Sequence, residues 1–143
     1  AEWEYAARAG TITARYWGDD ISCDNAMYEN SLSSNGRCVD YVKQQGLTAS
    51  STAPVGSYSP NQFGLYDILG NVYEWCIDWY SDKYDIRSSE KNPAGPTSGT
   101  LRVIRGGNWL SGTTTVRSAN RYWYSPDKKG CPILGFRLVL PSQ

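Results

Sequence analysis

Asp67 and Glu74 stand seven residues apart, on either side of the turn signal Gly70-Asn71. Two carboxylates flanking a tight turn can offer side-chain oxygens while the turn points the carbonyls of Gly70 and Val72 inward. That is the all-oxygen shell a hard cation such as calcium prefers. Asp67, Gly70, Val72 and Glu74 are therefore predicted to hold a structural Ca2+. Around them, residues 63–80 contain six aromatics, two glycines and three carboxylates. Core segments carry aromatics and loops carry Gly, Asn and Asp, so this mixture predicts a loop pinned by its own buried side chains. The chain has no His, and its four cysteines, at 23, 38, 76 and 131, form no Cys-x-x-Cys pair. Zinc chemistry through nitrogen or sulfur ligands is thereby excluded.

Cys23 and Cys38 flank a polar stretch rich in Asn and Ser. Two readings stand: a pair of free loop thiols, or a disulfide that stabilises the stretch by about 3 kcal/mol on the loop-entropy argument. The disulfide is favoured, because two unpaired cysteines on one exposed loop are a liability, and it places the protein outside the cytoplasm or at the cell surface. Cys76, between Trp75 and Ile77, is expected to be a small buried hydrophobe.

A chain of 143 residues suits one domain with a real core. Fourteen basic residues balance fourteen acidic ones, and Lys128-Lys129 is too short a run to mark a nucleic-acid partner. No uninterrupted apolar run is long enough to span a bilayer, so no membrane insertion by this segment is expected. Residues 1–9 have Trp3, Ala6 and Ala7 at helical spacing before Gly10, which predicts a short amphipathic helix. Residues 11–17 read as a strand or an extended connector, and 18–59 as loop. Three turn signals make 81–100 a surface loop. Residues 101–105 read as a strand that meets Gly106-Gly107, after which Trp109 is expected to bury its ring as an anchor. Residues 134–140 alternate, with Phe136, Leu138 and Leu140 on one face, and are expected to pair with 101–105.

The ordered motifs Gly64-Leu65-Tyr66-Asp67, Gly70-Asn71-Val72-Tyr73-Glu74-Trp75, Arg105-Gly106-Gly107-Asn108-Trp109, Arg117-Ser118-Ala119-Asn120-Arg121 and Gly135-Phe136-Arg137 resemble the formylglycine-generating enzyme family, the sulfatase-modifying factor domains. The resemblance runs nearly end to end. It implies an α+β fold, a loop-rich variant of the C-type lectin fold with little regular structure, held by metal ions, aromatics and sometimes disulfides. It also implies that the opening Ala1-Glu2-Trp3-Glu4-Tyr5-Ala6-Ala7-Arg8 follows strands, and a helix cap, that precede Ala1. A second, weaker calcium site is implied at Asn25 and Asp40 with the carbonyls of Ala26 and Val42; the alternative is that Asn25 and Asp40 simply close Asx turns.

In the enzymes of the family, a cysteine pair after Gly-Gly binds copper and activates oxygen to oxidise a substrate cysteine to formylglycine. Residues 108–117 contain no thiol here, and hydroxyls do not replace the soft ligands that Cu(I) requires, so no copper is expected. Relatives that join sulfur to histidine derivatives use an iron site of histidines, which this chain lacks. Between the framework positions lie Asn108, Leu110, Ser111, Thr113, Thr115, Tyr122, Trp123, Tyr124, Ser125, Lys128 and Lys129. The run 122–125 has the Tyr, Trp and Ser that antibody paratopes favour. The pattern resembles the variable proteins of diversity-generating retroelements, which implies a non-catalytic module presenting these residues to a protein or cell-surface ligand. The alternatives are that Tyr122 to Tyr124 are ordinary half-buried aromatics, and that the chain is a sulfatase-modifying oxidoreductase.

Overall fold

A computed structural model describes residues 1–83, 93 and 95–139 of the chain. Helix α1, Glu2–Arg8, is a short amphipathic turn whose buried Ala7 faces the core; it stops at Ala9 and Gly10, both with positive φ. Helix α2, Val39–Gln44, starts at Cys38 and buries Val39 and Val42. Four strands follow: β1 Tyr73–Trp79, β2 Arg102–Arg105, β3 Arg121–Tyr124 and β4 Leu134–Gly135. They form one sheet in the order β3-β2-β1-β4. β2 is antiparallel to both β1 and β3, whereas β1 and β4 are parallel. Val103 and Ile104 are both buried, which is what a strand covered on both faces requires.

The core lies beside this sheet and is built mainly from irregular chain. Ala26, Met27, Tyr28, Cys38, Val42 and Val116 are all completely buried. Backbone bonds zip three loops together around them. Asn71 N donates to Met27 O at 2.8 Å, Gly70 N to Gly106 O at 2.9 Å, Trp109 N to Asn71 O at 2.9 Å and Asn30 N to Trp109 O at 2.8 Å. This zipper explains Gly70: a Cβ there would lie 2.6 Å from Met27 O, and its φ of 83° disfavours a side chain anyway. Asn side chains finish the seam. Asn71 Oδ1 accepts from Ala53 N at 2.9 Å, and Asn30 Nδ2 donates to Ser51 O at 3.0 Å. Cys23 and Cys38 are disulfide-bonded with Cα atoms 5.4 Å apart, tying Cys23 to the start of α2, a helix inside the 18–59 stretch that was expected to be loop.

Several expectations change. The stretch 63–80 is loop only as far as Val72; Tyr73–Trp79 is the strand between β2 and β4, because Tyr73, Trp75, Ile77 and Trp79 alternate with Glu74, Cys76 and Asp78, and such large apolar side chains at every second position suit a pleated, half-buried surface. Residues 134–140 do not form a long strand paired with 101–105. Both flanks of β2 are already taken by β1 and β3, so Leu134–Gly135 pairs with Tyr73 and Glu74 instead. Phe136 and Leu138 beyond it are 74% and 85% exposed; residue 140 lies outside the described residues. Residues 11–17 contribute only an isolated bridge, Arg15 with Gly18. The expected surface loop 81–100 falls largely on residues outside the description. Cys76 is half-buried rather than buried.

Candidate functional site

Two arrangements gather side chains that the sequence singles out. The first is the carboxylate turn. Asp67 has a φ of 53°; its Oδ2 accepts from Gly56 N at 2.5 Å, while its Oδ1 is buried with no hydrogen-bond partner. Asp67, Asn71, Val72, Glu74 and Arg137 line a cavity of 410 Å³ rimmed by Val55, Tyr66 and Phe136. Glu74 is already engaged. Trp3 Nε1 donates to its Oε2 at 2.8 Å, and Arg137 Nη2 donates to its Oε1 at 2.7 Å, with Nε at 3.2 Å from both oxygens. Three N–H donors therefore meet a carboxylate with about four lone-pair sites.

The donor set fits calcium unequally. A buried carboxylate oxygen with nothing to accept from is costly unless a cation or donor completes it, and Asp67 Oδ1 is such an atom. Glu74 accepts two contacts on each oxygen and so anchors Arg137 and α1, a structural role the sequence reading missed. Its signal was Arg137, the last residue of the Gly-Phe-Arg motif. At the second predicted site two of the four oxygens accept hydrogen bonds within the chain. Asn25 Oδ1 accepts from Ser22 N and Oγ at 3.0 and 2.7 Å, three residues back rather than two ahead, so it does not close the Asx turn that was the alternative. Val42 O accepts from Leu47 N at 3.0 Å, Ala26 is buried, and Asp40 is exposed on α2. Among the described residues no three His, Cys, Asp or Glu side chains cluster as metal ligands.

The second arrangement is the aromatic edge. β3 lies at one side of the sheet, with Tyr122 opposite Ile104, Trp123 opposite Val103 and Tyr124 opposite Arg102. Tyr122 and Trp123 are 47% and 40% exposed, although Ile104 and Val103 are buried. The rings support one another. Tyr122 stacks on Tyr73 with centroids 5.8 Å apart and on Trp123 at 5.6 Å, and Trp75 meets Tyr124 edge-on at 6.2 Å. Tyr73, which the sequence reading did not single out as a site residue, stacks on this edge from β1, and burial pushes its hydroxyl above the ordinary tyrosine value.

Not every predicted surface residue faces outward. Asn108 and Ser111 are buried, and they close on each other: Asn108 N donates to Ser111 Oγ at 3.0 Å and Leu110 N to Asn108 Oδ1 at 2.7 Å. These two are turn-formers of the frame. Leu110, by contrast, is exposed, as are Lys128 and Lys129, and Thr113, Thr115, Tyr124 and Ser125 are partly so. The neighbouring Cys131 thiol raises the Tyr124 pKa above the usual value. Cys76 opens on the opposite side of the sheet, into a 310 Å³ cavity with Trp3 and Arg105, and burial pushes its thiol up to about 11. The two free thiols thus lie on opposite faces, since consecutive residues Trp75 and Cys76 point to opposite sides of a strand.

Residues 1–141 match the family described as "Sulfatase-modifying factor enzyme 1-like domain". The chain belongs to that family. It is 42% identical over 141 residues to the formylglycine-generating enzyme of Streptomyces coelicolor, covering 96% of this chain and 44% of that protein. Among solved structures, this sulfatase-modifying factor-like domain resembles Treponema denticola variable protein 1 at a TM-score of 0.72 and 34% identity, over 94% of this chain and 43% of that one. It resembles PvdO from Pseudomonas aeruginosa equally well, at 0.72 and 32% identity, over 94% and 48% of the two chains. The chain thus spans less than half the length of these relatives. Its fold is the loop-rich, C-type lectin-like fold of the formylglycine-generating enzyme type.

Proposed function

We propose that this domain is a non-catalytic display module of the diversity-generating retroelement type. Leu110, Thr113, Thr115, Tyr122, Trp123, Tyr124, Ser125, Lys128 and Lys129 contact a protein or cell-surface ligand, and Asn108 and Ser111 shape the loop beneath them. One observation carries the reading: along β3, half-exposed rings sit directly opposite buried aliphatic partners on β2, so the frame ends where the aromatic surface begins. The likeness to a variable protein adds support. The Cys23–Cys38 disulfide supports an extracytoplasmic or cell-surface setting. Calcium is proposed as a structural ion at Asp67, with Glu74 and the carbonyls of Gly70 and Val72, supported by the unpartnered Asp67 Oδ1. Bound there, it would stiffen the turn that carries the Asn71 seam.

The test is wholesale replacement. A library varied at Leu110, Thr113, Thr115, Tyr122, Trp123 and Tyr124 should yield mostly folded, disulfide-bonded variants and, after selection, binders to unrelated proteins. General loss of folding would overturn the reading. Identity to a formylglycine-generating enzyme favours a second reading, an oxidoreductase that converts a substrate cysteine. The separation of Cys76 from Cys131 argues against a copper pair made of these thiols. Copper-dependent oxygen uptake with a Cys-x-Pro-x-Arg peptide would establish that alternative.

A further inference from the structure

The neutral total charge conceals a segregation. Seven of the fourteen Lys and Arg lie beyond residue 100, but only one of the fourteen acidic residues, Asp127. Arg105 and Arg137 are consumed by ion pairs with Glu4 and Glu74. Among the described residues Arg102, Lys128 and Lys129 make no salt bridge; Arg102 donates instead to Ile77 O and lies over the Trp79 ring. These three cations gather at one end of the aromatic edge. Arg102 is the β2 partner of Tyr124, and Lys128 N donates to Ser125 O at 3.2 Å, closing a turn directly after β3.

We propose that this end of the display surface, Arg102, Tyr124, Lys128 and Lys129, takes a carboxylate-rich peptide segment of a partner protein. The inference rests on the display reading above and names the class of ligand that the surface selects. Cations with no carboxylate partner among the described residues, beside aromatic side chains, give complementarity to an acidic partner and speed encounter with it. Ring geometry favours protein over nucleic acid or glycan. Base binding depends on open aromatic faces, whereas Tyr122 is stacked between Tyr73 and Trp123, and Trp79 is capped by the Arg102 guanidinium at 3.5 Å. What stays available is ring edges, hydroxyls and ammonium groups, which suit peptide carboxylates.

The test titrates the chain with poly-L-glutamate, read by intrinsic Trp fluorescence, beside heparin and an oligothymidylate. Binding to poly-L-glutamate should weaken by about tenfold in the Lys128→Glu/Lys129→Glu variant and should fall as salt is raised. Lys43→Glu, an exposed change on α2, should leave it unchanged. Both lysines are exposed, so the double variant should melt with the wild type. Absence of poly-L-glutamate binding, or binding indifferent to the lysine pair, overturns the proposal. Equal or tighter binding of heparin or oligothymidylate overturns the peptide assignment in favour of general polyanion attraction. The display reading fails on a different observable, the loss of folding in the varied library, so the two failures are distinguishable.

Discussion

The 18–59 loop and the 110–134 segment are both poor in regular structure, yet one supplies core and the other surface. In the first, Ala26, Met27, Tyr28 and Asn30 are completely buried; in the second, Leu110, Tyr122 and Trp123 stand 40% to 47% exposed. The difference lies in where backbone polar groups find partners. The first loop is stitched to 70–71 and 106–111 by backbone bonds and by the amides of Asn30 and Asn71, so its side chains can be desolvated without orphaning the chain. The second is fixed at its roots, through Asn108, Ser111, Ser118 and β2, and apart from the buried Val116 its side chains between those roots are partly or fully exposed. Irregular structure is therefore not soft structure here. The same scaffold can hold a rigid loop and carry a replaceable one.

Tryptophan substitutions should break this comparison most sharply. Trp109 packs on the core and its backbone joins two loops, so Trp109→Ala should cost about 3–5 kcal/mol, while Trp123→Ala on the open edge should cost under about 2 kcal/mol. Paired thermal melts check this, and equal losses would make the aromatic edge part of the core. Next in size is the disulfide: Cys23→Ser should lower stability by about 3 kcal/mol, seen as a shifted denaturant midpoint, without altering the β3 surface.

Chelation probes the carboxylate turn. An ion present at about a hundredfold its Kd contributes about 2.7 kcal/mol, so EDTA should lower the Tm of the wild type but not of Asp67→Asn. A wild-type Tm indifferent to EDTA and to added calcium would remove calcium from the proposal. The smallest effect is expected at Glu4. Burial acts to raise its carboxyl, but hydrogen bonds from Arg105 and Arg8 outweigh that and hold it below the ordinary value. A depressed folded-state pKa stabilises above the unfolded value and stops doing so as pH falls through the folded one. Glu4→Gln should therefore cost under about 1 kcal/mol at neutral pH, and the gap from wild type should close below about pH 4. A gap that persists in acid would assign the Glu4 contribution to packing.

Local chemistry made some of the molecule legible in the chain alone. The α1 helix, the β2 strand and the pairing of Cys23 with Cys38 each depend on near neighbours or on a short closed loop, so residue type and spacing carried the information. Ordered motifs carried the family in the same way. The tertiary structure decided what depends on distant partners. Glu74 meets Trp3 and Arg137 across 71 and 63 residues, a contact no local pattern announces. The alternation in 134–140 suits a strand, but once β1 and β3 had taken both flanks of β2, the later segment could only begin a short parallel pair beside β1. The same competition for flanks sets β3 at the edge, and so decides that Tyr122 and Trp123 face solvent while Asn108 and Ser111 do not.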